Sequence, residues 1–133
     1  MSATEANLEA MRSALAALQN GEAGPFFGLI AEDVVWTIIG TTPISGTVHS
    51  KAEFVQRIGR PLQERLAEPI KSSPRQILAD GDHVVALWDG SSTMRDGQPY
   101  RQSYCWVLRF ADGAIVEATT YWDTDLINRV FQQ

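Results

Sequence analysis

Acid/base chemistry at neutral pH needs a group whose proton moves easily, and this chain offers few such groups in suggestive surroundings. The foremost is Asp123, which follows Trp122 directly and precedes the apolar-periodic run Leu126, Ile127, Val130 and Phe131. A carboxylic acid at the rim of an apolar pocket has its pKa raised toward the range useful for proton transfer, because burial disfavours the charged form. The competing role is structural, since Asp immediately before a terminal helix is a favoured N-cap. His49 follows a short strand-like segment, placed to reach a cavity mouth as acid, base or hydrogen-bond donor, or simply to mark the start of a helix. His83 comes straight after the Asp80-Gly81 turn and is expected in solvent. Cys105 is the only cysteine, so no intramolecular disulfide forms, and its apolar neighbours make it a small hydrophobe rather than a catalytic thiol. The two histidines lie far apart and no Cys/His cluster exists, which argues against a structural zinc. Any chemistry is expected to run without metal or organic cofactor.

The aromatic residues are the second chemical resource. Trp36, Trp88, Trp106 and Trp122 fall on four separate strand-like segments. Tyr104 and Gln102 share the face of Trp106, because side chains alternate along a strand. Each tryptophan alone serves equally well as plain core. Together, so much aromatic surface in a small domain favours a pocket for a small apolar or aromatic ligand. Phe54, on the apolar face of a predicted helix, joins that set.

These residues must be positioned by one domain. The 133 residues match a single unit spanning 1–133, large enough to bury a core without staples. Leu8, Met11, Leu15 and Leu18 recur at helical spacing, with Ser2 and Glu5 spaced as a capping box. Gly24-Pro25-Phe26-Phe27 opens a short second helix that reaches Glu32-Asp33, and DVVWTII then begins a strand. Ser50 and Glu53 form another capping-box pattern, opening a helix that Gly59 and Pro61 interrupt. Asp80-Gly81, Asp96-Gly97 and Asp112-Gly113 are favoured reversals between antiparallel strands. The segments KSSPRQILA, HVVALWDGSSTM, PYRQSYCWVLRF and AIVEATTYW around them predict a four-stranded meander. Strands this long must coil or carry bulges. The prediction is α+β: a strongly curved antiparallel sheet whose concave side is covered by helices, leaving a conical internal pocket.

Composition narrows the partners. The formal net charge is −5 with acidic and basic residues mixed, unlike the basic face that nucleic acid requires. The start, MSATEANLEAM, is polar and acidic, and no apolar run is long enough to span a membrane. The expectation is a cytoplasmic protein with no membrane or nucleic-acid partner.

The ordered features AEDVVW, TPISGT and YCWVLRFADGAIVEATTYWDT resemble SnoaL-like and ketosteroid-isomerase-like proteins of the nuclear-transport-factor-2-like (NTF2-like) family. The resemblance spans nearly the whole chain and implies a cone-shaped α+β barrel, commonly homodimeric through the outer face of the sheet. The outward face of the long C-terminal strands is expected to carry Cys105, Val107, Ile115 and Tyr121, a set more apolar than a solvated sheet usually shows. The resemblance also implies that Trp106 and Trp122 line the cavity. The steroid-isomerase residues do not carry over: the base position falls at Thr37 or Ile38, the tyrosine near Ala14 or Leu15, and the protonated Asp at Trp106. An epoxide-hydrolase triad is broken too, with Asp89 and Ser91 on the strand that should supply Arg and Asp, although Asp123 matches its last acid. What remains is the minimal polyketide-cyclase pattern of one aspartate acid/base. The leading expectation is a small-molecule acid/base enzyme of isomerase or cyclase type acting on an apolar carbonyl or polyketide-like substrate. Asp123 would be the acid/base, with Tyr104 and His49 as donors. The rival is a non-catalytic module that binds a hydrophobic ligand or a partner protein, since fold does not settle function.

Overall fold

A computed structural model describes residues 1–133. Helix α1 (Ala3–Leu18) starts where Ser2 accepts a hydrogen bond from the Glu5 N–H, as the capping-box spacing predicts. It buries Met11, Ala14, Leu15 and Leu18 against the sheet. The short α2 (Gly24–Leu29) has Pro25 in its first turn and Phe26 buried. Strand β1 (Ile30–Ile38) begins earlier than expected, at Ile30 rather than at Asp33. Pairing of Ile30 with Ile115 of β6 fixes this earlier start, although Ala31, Glu32 and Asp33 favour a strand only weakly.

After β2 (Gly46–Val48), helix α3 (Lys51–Phe54) is capped by Ser50, whose side chain accepts from the Glu53 N–H. The Glu53 carboxylate accepts in turn from the His49 N–H at 2.7 Å. Gly59 and Pro61 do not break the helix. The Arg60 N–H bonds to the Val55 carbonyl five residues back, so the chain widens into one π turn over Val55–Gly59. Pro61 then falls in the first turn of α4 (Arg60–Glu64), where its missing donor costs least.

The meander follows as β3 (Lys71–Asp80), β4 (His83–Thr93), β5 (Pro99–Ala111) and β6 (Ala114–Tyr121), reversing at the three Asp-Gly sites. Asp112 and Gly113 both adopt positive φ, the backbone that a two-residue hairpin needs. Pro74 lies in β3 at a bulge, and β3 is an edge strand, where a residue without an N–H is tolerated. The order is β2-β1-β6-β5-β4-β3. The sheet is not wholly antiparallel as expected: β1 joins β6 in parallel, so the six-stranded curved sheet is mixed and does not close into a barrel. Helix α5 (Thr124–Gln132) ends the chain.

A second correction concerns Ile115. Strict alternation from Tyr121 puts it on the outer face, but the β5–β6 register slips between Arg109 and Phe110, leaving one extra residue in β6. A one-residue bulge inverts every side chain beyond it. Ile115 is therefore fully buried in the core, while Cys105 and Val107 are half-buried on the outer face and Tyr121 is exposed there. No helix is long and apolar enough to cross a membrane.

Candidate functional site

The concave face of β4 and β5 carries an aromatic cluster because the cross-strand register stacks it. Trp88 pairs with Tyr104, and their rings stack 4.1 Å apart at 24°. Trp106, two residues along β5, stands edge-to-face against Trp88 at 5.0 Å and against Trp36 at 5.2 Å. Trp122, just past β6, meets Tyr104 at 4.9 Å and 84°. Its indole N–H donates to Thr120 Oγ1 at 2.8 Å, which fixes the ring, and Thr120 in turn donates to the Thr37 carbonyl.

Helices cannot meet this curved floor everywhere, and the gap is a cavity of about 130 Å³. Trp88, Tyr104, Trp106 and Trp122 form its floor. Phe26 and Phe27 of α2 wall one side, and Phe54, Ile58 and Leu62 of the α3–α4 segment wall the other. Twelve of its fifteen lining residues are hydrophobic, and no carboxylate, lysine, arginine or histidine is among them. The polar side chains at its wall are Tyr104 and Gln63.

The expected site residues divide accordingly. Trp88, Trp106, Trp122, Tyr104 and Phe54 line the cavity. Trp36 does not: it is fully buried outside the lining, packed on Phe54 at 4.6 Å and on Trp106 of the floor at 5.2 Å. Gln102 is buried but turned elsewhere. Its Oε1 accepts from the Asp123 N–H at 2.6 Å and the Ser103 N–H at 2.9 Å, and its Nε2 donates to the Asp123 carbonyl at 3.1 Å. The primary amide thus imitates a peptide group and prolongs the β5–β6 ladder beyond its last pair, Cys105 with Tyr121.

Asp123 is exposed, and its carboxylate caps α5 by accepting from the Leu126 N–H at 3.3 Å. His49 is exposed as well, and neither residue lines the cavity. Asp89 points to the outer face, where it accepts from Ser103 Oγ at 3.0 Å and lies 3.6 Å from Arg75. That placement removes it from any epoxide-opening arrangement in the cavity.

Sequence reading missed several residues of the site, among them Phe26, Phe27 and Gln63 of the cavity wall, and also Tyr100 and Gly90. Tyr100 is fully buried, and its hydroxyl lies 2.8 Å from that of Tyr104. The four-residue spacing on a strand sets both on one face, a signal present in the sequence. Burial raises the pKa of both phenols well above 10.0. Hydrogen bonding with Tyr104 and Gln102 partly offsets this at Tyr100, whereas the neighbouring Tyr100 hydroxyl reinforces it at Tyr104. Asp123's negative charge adds a smaller upward push at Tyr100. Both tyrosines are neutral hydroxyls at physiological pH. Gly90 makes room for Tyr104: a Cβ there would lie 2.8 Å from Tyr104 Cε2 and 2.9 Å from Ile70 Cγ2.

The sequence profile of the SnoaL-like domain family matches residues 11–118. No functionally curated protein matches this sequence. Among solved structures, the chain is similar to an NTF2-like protein of unknown function from Burkholderia pseudomallei, at 24% identity and a TM-score of 0.80 over 100% of both chains. It is similar to a Bacillus subtilis protein provisionally named an isomerase, at 22% identity and a TM-score of 0.78, over 99% of this chain and 96% of that one. It is also similar to TerC, co-crystallised with polyporic acid, at 18% identity and a TM-score of 0.77, over 96% of this chain and 99% of that one. Likeness at such identities establishes the fold and leaves the activity open. The mixed curved sheet, the helices across its concave side and the profile match over most of the length agree: the chain belongs to the SnoaL-like domain family and has the NTF2-like fold.

Proposed function

We propose that this protein binds a small, largely apolar molecule in the cavity between α2, the α3–α4 segment and the aromatic floor of the sheet. The observation that carries this reading is the lining itself: aromatic walls with Tyr104 and Gln63 as the polar side chains and no formal charge. Ligand sites are characteristically apolar clefts with a few placed polar groups. The likeness to TerC, seen with a small organic molecule, supports the same use of the fold. The direct test is calorimetric titration with single-ring aromatic compounds, checked by a rise in Tm with ligand concentration. Absence of binding up to millimolar concentrations of every such compound would end this reading.

A second reading, acid/base turnover of isomerase or cyclase type on an apolar carbonyl or polyketide-like substrate, has one observation in its favour. Asp123's negative charge gives a small upward push to the pKa of buried Tyr100, so the carboxylate lies within electrostatic reach of that one hydroxyl. In that reading Asp123 is the acid/base, with Tyr104 and His49 as donors. Asp123→Asn keeps the cap, since Asn caps about as well as Asp, and removes only the proton-transferring group. Turnover that survives Asp123→Asn rules the second reading out. We further propose a homodimer through the outer face, where Val85 and Leu87 pair with Val107 and Cys105 across β4 and β5.

A further inference from the structure

The hydrogen-bond count of the aromatic floor does not close, and its imbalance has one sign. The bond between the Tyr100 and Tyr104 hydroxyls consumes one of their two hydrogens. Gln102 cannot take the second, because its Oε1 already accepts from two backbone N–H groups. The indole N–H groups of Trp36, Trp88 and Trp106 are also buried without a partner. Buried donors in folded proteins are nearly always satisfied, so a cluster of orphans calls for a missing acceptor. Tyr104, Trp88 and Trp106 are each more than nine-tenths buried, and all three line the cavity. The surplus is made wholly of donors.

This excess restricts the ligand. An anion would lose its hydration among apolar walls with no lysine or arginine to pair with it. An alcohol or phenol would bring yet another donor to a site that has too many. A neutral carbonyl accepts and donates nothing. The cavity, about 130 Å³, is close to the size that holds one benzene ring in an engineered protein interior. Gly90 lets the Tyr104 ring lie close over β4, and its hydroxyl end converges with Ile70, another cavity-lining residue, on the space a Cβ at position 90 would take.

Resting on the small-molecule reading above, we propose that the cavity is a site for a single-ring ketone or aldehyde whose carbonyl oxygen accepts a hydrogen bond from Tyr104. Tyr100 is a positioning residue: by donating to the Tyr104 oxygen it turns the Tyr104 proton toward the ligand.

The test uses the intact protein and three probes of matched size: acetophenone, ethylbenzene and benzoate. Calorimetry is expected to show acetophenone binding about five- to tenfold more tightly than ethylbenzene, the worth of one net hydrogen bond. Benzoate should bind more weakly than acetophenone. The carbonyl stretch of bound acetophenone should fall below its value in a hydrocarbon solvent. Tyr104→Phe should abolish both the preference and the shift. Tyr100→Phe should shrink the frequency shift without changing ethylbenzene binding, which a purely structural role could not do. Equal or tighter binding of ethylbenzene, tighter binding of benzoate, or a preference that survives Tyr104→Phe overturns the carbonyl assignment and leaves the apolar-ligand reading standing. Failure of all three probes to bind removes both. An unshifted stretch in the unmutated protein overturns the assignment even if a variant fails to fold.

Discussion

Gly90→Ala isolates the packing on which the aromatic floor depends. Gly90 lies in β4 without a positive φ, so alanine fits the backbone there, and its smaller unfolded-state entropy alone would stabilise by about 0.4–1 kcal/mol. The new Cβ, however, would lie 2.8 Å from Tyr104 Cε2, 2.9 Å from Ile70 Cγ2 and 3.2 Å from the Tyr104 hydroxyl. Carbon atoms rest comfortably at about 3.5–4.0 Å, so each neighbour must retreat by roughly 0.6 Å or more. Tyr104 cannot retreat freely, because it stacks on Trp88 at 4.1 Å and is tied to Tyr100. Overpacking of this kind costs about 1–3 kcal/mol, leaving a net loss of about 1–2 kcal/mol. For a domain of this size that lowers Tm by about 3–8 °C. Urea and thermal melts measure the loss, and near-ultraviolet circular dichroism reports the displaced aromatics. In a Tyr104→Ala background the same substitution should cost at least 0.5 kcal/mol less, since one of the two clashing neighbours is gone. A Gly90→Ala protein as stable as the parent, or equal costs in both backgrounds, would refute the steric reasoning.

Further outcomes follow from the same geometry. Burial raises the pKa of Tyr100 and Tyr104 above 10.0, so the folded state holds protons that the unfolded chain releases near that pH. Their contribution is full below pH 10 and is lost as pH rises beyond it; urea melts from pH 8 to 11.5 should show that decline, shallower in a Tyr100→Phe/Tyr104→Phe protein. Gln102→Met preserves shape but strands the Asp123 N–H and C=O and the Ser103 N–H, and should cost about 2–3 kcal/mol by urea melting. Sedimentation at micromolar concentration should show a dimer that Val107→Lys dissociates, because that residue lies in the half-buried outer stripe; a monomeric parent protein would reject the interface.

The fold was legible where local chemistry is decisive. Asp-Gly pairs need no tertiary help to reverse a chain, and all three fall at reversals. Ser2 and Ser50 cap helices because capping is decided within four residues. Features that depend on partners were not legible. The bulge that buries Ile115 arises from how β5 and β6 register, and alternation counted along β6 alone assigns the wrong face. The parallel docking of β1 on β6 likewise involves residues some eighty positions apart, with no local mark. The tryptophans divided for the same reason. Period two places Trp106 inward, but only the packing of Phe54 and Trp106 decides that Trp36 stands outside the cavity lining.

Of the two roles open to Asp123, the structure shows the helix cap, and the reason lies in where a carboxylate gains most. At the end of β6 an aspartate has two destinations: solvent with a helix N-terminus, or an apolar wall. The first offers hydrogen bonds from free N–H groups and full hydration; the second costs several kcal/mol of desolvation unless a cation or a proton compensates. No cation lines this cavity, so the carboxylate caps α5 and remains outside. The interior is left to tyrosine, whose hydroxyl carries no charge to desolvate below pH 10 and still donates a strong hydrogen bond. For the ligand proposed above, recognition would then turn on whether it can accept from that neutral donor, which a carbonyl oxygen does without adding a donor of its own.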